Sequence, residues 1–215
     1  MPDIAENDLF EYQNNSDPEV ETKLQTIIQE VNGLLEGYKL ENDIQSYKDI
    51  TQQEWGAVLM YIAMSYFKPT KILYKYIPGI SNNGQIVYMY DYNILNGLCQ
   101  YYIYICRRYN KISNISGFCD ICGINYSTAM KWDKQESQHP EVSAIIKSLR
   151  SEYEKGLENG AQSGKNPVGY IAALNHRFGW SSEGKTSVTV NINRTSDQIM
   201  STYNQNFIEN NSENG

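Results

Sequence analysis

Apolar residues recur at three- and four-residue steps over residues 20–38. Val20, Leu24, Ile27, Ile28, Val31, Leu34, Leu35 and Tyr38 trace one face of a helix there. The stripe serves either a core or a self-association seam. Thr51 followed three residues later by Glu54 is a capping-box signature, opening a helix that runs to about Phe67. Lys68-Pro69 interrupts it, residues 70–76 continue as a short helix, and residues 78–84 read as a loop. Asp91 caps the next helix, which reaches about Asn110 with Leu95, Leu98, Cys99, Tyr102, Ile103 and Cys106 on its buried side. Pro140 stands at a first helical position and starts a helix through about Glu158. A Gly/Ser-rich joint spans residues 159–165. Asn166 and Pro167 then open a short helix over residues 168–176, which closes at Arg177-Phe178-Gly179-Trp180. Residues 187–193, SVTVNIN, alternate polar and β-branched side chains and read as a strand. Residues 196–203 fit a further helical turn.

Residues 115–134, ISGFCDICGINYSTAMKWDK, fit a helix-turn-helix. Gly123 takes the turn position, where a left-handed backbone costs little without a Cβ. Phe118, Cys122, Ile124, Ala129 and Trp132 fall where two helices bury apolar side chains against each other, and Cys119 is the small residue at their close approach. The outward positions of the second helix are Asn125, Tyr126, Ser127, Met130, Lys131 and Lys134, groups suited to base edges and phosphates. The alternative is a tight helical corner used only for packing. Arg107, Arg108 and Lys111 just before the unit either hold phosphates or complement the negative end of a helix dipole.

Charge changes the picture more than bulk composition does. The net charge of -7 argues against nucleic acid until its distribution is read. Residues 1–54 hold 13 acids and 3 bases, residues 55–185 hold 9 acids and 14 bases, and residues 186–215 hold 3 acids and 1 base. The middle of the chain is therefore basic, the footprint that phosphate binding requires. A hydrophobic content of 40% over 215 residues supports a real core and one main domain with flexible ends. No stretch approaches the roughly 20 apolar residues that span a bilayer, so no membrane association and a cytoplasmic location are expected. Four cysteines without a secretory leader read as thiols.

Three motifs compete for chemistry. Gly179-Trp-Ser-Ser-Glu-Gly184-Lys185-Thr186 spells a phosphate-binding loop, but that loop needs a strand before it and a helix after it, the reverse of the order read here. Cys119-x-x-Cys122 invites zinc, yet both positions are already explained by helix packing, and Cys99 and Cys106 are the other thiols. His139 and His176 stand apart from any nucleophile. The expectation is a non-enzyme with no cofactor and no metal. The tyrosines of YYIYICRRY are either core or a base-stacking surface.

The segment STAMKWDK, with its T-x-x-x-W ending, and the segment NPVGYIAALNHRFGW at residues 166–180 together resemble the small terminase (DNA-packaging) subunits of tailed bacteriophages. Gly169, Ile171, Leu174, Gly179 and Trp180 match the G-x-I-x-x-L-x-x-x-x-G-W pattern of several such families. The likeness covers residues 90–193, while Asn175-His176 depart from the expected Lys-Asn. The resemblance implies a ring-forming, non-catalytic homo-oligomer in the bacterial host cell that recognises double-stranded viral DNA and delivers it to the large terminase subunit. A helix-turn-helix regulator of a phage or mobile element is the alternative. An isolated strand is unstable in water, so residues 187–193 are expected to pair between subunits. The expected fold is mainly α, with a helix-turn-helix and that one C-terminal strand. Its organisation is a disordered acidic terminus (1–19), an N-terminal helical region (20–90), the DNA-binding region (91–158), a linker with short helix and oligomerisation strand (159–193) and a flexible tail (194–215).

Overall fold

Asp17 opens the first helix. Its carboxylate accepts the Glu19 N–H at 3.1 Å and Pro18 takes the first helical position, so α1 (Pro18–Glu41) starts ahead of its apolar stripe. The computed structural model describes residues 17–76, 88–134, 140–163 and 167–180. Leu24, Ile27, Ile28, Val31 and Leu35 are buried, which places the stripe in the core.

The capping box of α2 (Gln52–Ile62) is complete: Thr51 Oγ1 accepts from Glu54 N and Glu54 Oε2 accepts from Thr51 N. Pro69 does not stop the chain as expected. A π-helical turn, Ala63–Phe67, is followed by α3 (Lys68–Thr70), and the Lys68 N–H reaches back five residues to the Ala63 carbonyl. The wider turn gives room for the ring of Pro69, which in a regular helix would clash with a preceding carbonyl. The helix ends at Lys71, whose backbone is left-handed at φ 51°.

Residues 70–76 were expected to be helical, and here the structure differs. Tyr74–Tyr76 form β1, which pairs antiparallel with β2 (Tyr88–Tyr90), Tyr74 opposite Tyr90. The two rings stack with centroids 4.6 Å apart and their hydroxyls meet at 3.1 Å. Such a cross-strand aromatic pair is what stabilises so short a ladder.

Asp91 caps α4 (Tyr92–Arg108) through Ile94 N. This helix is buried on nearly every side, including Leu95, Leu98, Cys99, Tyr102, Ile103 and Cys106, which makes it the central element, packed by α1 and by α7 (Pro140–Gln162). Tyr101 and Tyr102 are buried too, so the tyrosine run belongs to the core. The expected joint after Glu158 is shorter than predicted, because α7 continues to Gln162. The next helix, α8 (Pro167–Phe178), folds back along α7. Gly160 permits this: a Cβ there would lie 2.7 Å from the Tyr170 ring. Eight residues further along α8, Phe178 contacts the Tyr153 ring at 6.0 Å, and Leu157 and Leu174 are buried.

The structure is mainly helical, with a two-stranded sheet among the described residues that the sequence did not predict. Described residues up to Gly179 belong to one compact unit, and Trp180 begins a second. Among the described residues no helix is long and apolar enough to cross a membrane. The loop at 78–84, the strand at 187–193, the turn at 196–203 and the tail at 194–215 lie outside the described residues, as do His139, Asn166 and all but three residues of the acidic terminus at 1–19.

Candidate nucleic-acid interface

Two short helices form the corner on which the sequence placed DNA contact. Asn114 caps α5 (Ile115–Cys122): its Oδ1 accepts from Gly117 N at 2.8 Å, while its own N–H donates to the Tyr102 hydroxyl. Gly123 ends α5 with φ 65° and ψ 27°. Its N–H donates to the Asp120 carbonyl and the Ile124 N–H to the Cys119 carbonyl, the paired bonds of a Schellman stop. Asn125 then caps α6 (Tyr126–Trp132) through Ser127 N at 2.9 Å. One residue thus separates the stop of one helix from the cap of the next, and the corner is fixed by local bonds.

Packing holds it from below. Phe118, Cys119, Cys122, Ile124, Ala129 and Trp132 are all buried, as their spacing predicted. Trp132 meets the Tyr90 ring edge-on at 5.4 Å, so the β1–β2 hairpin supplies part of the floor under α6. At its far end, Asp133 accepts a bidentate pair from Arg150 of α7, both bonds 2.8 Å. Gln52 ties α2 to the segment before α5, exchanging both side-chain bonds with the backbone of Ile112.

The cysteines behave as packing groups. Burial pushes the Cys119 thiol up to about 12 and holds the Cys122 thiol well above the usual thiol value, so both are protonated at neutral pH. Among the described residues no group of three or more His, Cys, Asp or Glu could hold a metal ion.

Asn125, Tyr126, Ser127, Lys131 and Lys134 are exposed, and Met130 is half-buried. Tyr126, Ser127, Met130 and Lys131 belong to α6 itself, Asn125 is its cap, and Lys134 lies in the turn after it. The Asn125 carboxamide oxygen is used by the cap and also accepts from Ser127 Oγ at 2.8 Å. Arg107, Arg108 and Lys111 make their contacts with other parts of the chain. Arg107 binds Glu152 of α7, its Nε at 3.0 Å, and Glu152 also accepts from Lys155. Arg108 donates to the Tyr104 hydroxyl and lies over the Tyr109 ring. Lys111 donates to the Ile50 carbonyl, and burial holds its pKa below the usual lysine value. Arg107 and Lys111 line a cavity of about 880 Å³ that includes no residue of α6.

Other basic residue types line cavities at the corner, and sequence reasoning missed them because they are far away in the chain. Lys68 of α3 shares a cavity with Gly123, Ile124 and Asn125. Arg177 and His176 of α8 share another with Tyr126 and Met130. The segment spelled like a phosphate loop begins at Gly179, directly after a helix rather than a strand, and its residues 181–186 lie outside those described. Compared with known proteins, the chain matches no family model, no curated protein and no solved structure.

Proposed function

We propose that the α5–α6 corner is a helix-turn-helix and that the chain is a non-catalytic, double-stranded DNA-binding protein, read most specifically as the small terminase subunit of a tailed phage. The observation that carries the DNA reading is the two-sided character of α6. Ala129 and Trp132 anchor it, while Ser127 and Lys131 face outward with Tyr126 beside them and exposed Lys134 in the turn that follows. A helix held from beneath with a polar, cationic outer side is what a major groove can take up. The packaging reading rests on the resemblance of residues 166–180. In α8 Leu174 of that segment is buried and anchors it, whereas Val168 and Ile171 remain exposed, apolar surface that a neighbouring copy in a ring would cover. Repeating one weak reading unit around a ring multiplies its contacts through effective concentration.

The test is duplex binding by the full chain with Lys131→Ala and Lys134→Ala combined. The double variant is expected to bind more weakly and to lose about two phosphate contacts' worth of salt dependence, roughly 1.8 in the log–log slope. Unchanged binding would remove α6 from the interface. Native mass separates the two uses of such a unit: a large ring supports packaging and a dimer supports a regulator with a palindromic site.

A further inference from the structure

The geometry points to two cationic groups around the corner, Lys68 with Lys71 at the α5–α6 turn and Arg177 beside Tyr126 and Met130 of α6, that hold phosphates bordering a DNA major groove. The inference rests on reading α6 as the groove-entering helix and identifies what holds the duplex around it.

Helical spacing sets the directions. With Ala129 and Trp132 buried, the outward line of α6 runs through Ser127 and Lys131, and exposed Lys134 lies in the turn that follows. Thr128 then faces one side of that line, and Tyr126 with Met130 the other. At the turn before α6 the Lys68 chain passes so close that a Cβ on Gly123 would lie 3.1 Å from its Cγ. Lys71 lines the adjoining cavity with Gly123 and Ile124. Arg177 lines the cavity that contains Tyr126 and Met130. The two groups come from elements more than a hundred residues apart in sequence and both line cavities at the α5–α6 corner.

This arrangement matches the shape of the ligand. A major groove is about 12 Å wide, close to the diameter of a helix with its side chains, and a phosphate row runs along each edge. A helix seated in the groove leaves its two sides facing those rows. Cations around it bind phosphate without reading sequence, which fixes register for the residues that do.

The flanking cations are also available. Among the described residues none of Lys68, Lys71 and Arg177 has a carboxylate partner. Lys68 Nζ donates to the Met64 thioether at 3.1 Å, a weak acceptor, and Arg177 lies over the Tyr153 ring at 5.5 Å. Neighbouring Arg150, by contrast, is occupied by Asp133. Among the described residues the carboxylate lining the Lys68 cavity is Asp120, which is half-buried and forms no ion pair with Lys68.

The test titrates the full chain with a random-sequence DNA duplex over a salt series. Lys68→Gln with Lys71→Gln is expected to reduce the log–log slope by about 1.8, and Arg177→Gln by about 0.9. Lys68→Arg with Lys71→Arg is expected to keep the wild-type slope. Lys48→Gln, an exposed lysine on a different cavity, is the control and is expected to leave the slope unchanged. Thermal melts check that each variant is folded. Wild-type slopes in Lys68→Gln with Lys71→Gln and in Arg177→Gln, alongside a reduced slope for Lys131→Ala with Lys134→Ala, would overturn these phosphate contacts and leave the reading of α6 standing. An equal reduction in Lys48→Gln would reduce the effect to net charge and also overturn it. Wild-type protein that fails to bind duplex at low salt would overturn both.

Discussion

Glu152 is acted on in opposite directions. Burial disfavours its charge, but the hydrogen bonds and charges of Arg107 and Lys155 win and hold its carboxyl below the usual glutamate range. A depressed carboxylate contributes stability that is fully present above the unfolded pKa and is lost as pH falls through the folded one. Glu152→Gln is therefore expected to be less stable than wild type by roughly 1 kcal/mol at neutral pH, a modest figure because Arg107 is largely exposed. In thermal melts over a pH series the two proteins should converge below about pH 4. A gap that stays constant into acid would show that the Arg107–Glu152–Lys155 link contributes nothing through charge. At the same scale, Lys111 shows why charge counting along a sequence misplaces sites. Its ammonium closes the α2 entry loop by binding the Ile50 carbonyl, an arrangement fixed by residues 61 positions earlier.

The corner depends on one backbone conformation. Gly123 sits at φ 65°, where a Cβ adds roughly 1–2 kcal/mol of strain. Gly123→Ala is expected to cost about that much in a chemical denaturation, and a neutral result would show that α5 and α6 meet differently. The elements that were legible in the sequence share this local character. Thr51 with Glu54, Asp91, and Gly123 each satisfy bonds within a few residues, so their letters suffice. The β1–β2 hairpin was not legible, since three-residue strands carry little periodicity and Tyr74 finds its partner only at Tyr90. Pro69 misled for a related reason. It ends a regular helix, and nothing in the letters announces the π-helical turn that accommodates it. The Gly/Ser-rich residues after Glu158 misled likewise, because packing of Tyr170 on Gly160 rewards a longer α7.

At the scale of the whole molecule, the chain places one helix at the surface with its cap, floor and far end each held by a different part of the fold. Asn114 and Gln52 fix the approach to the corner, Tyr90 lies under Trp132, and Arg150 secures Asp133. The buried half of the corner was legible because helical spacing predicts it. The cations around it were not, because tertiary folding brings Lys68 and Arg177 to cavities at the corner, while Arg107 and Lys111 line a different one. The proposed contact of α6 with duplex DNA is best tested by hydrogen exchange of the full chain, with and without a random-sequence duplex at low salt. Added protection over residues 123–134 is expected. Duplex binding with protection elsewhere, and exchange through 123–134 unchanged, would contradict it.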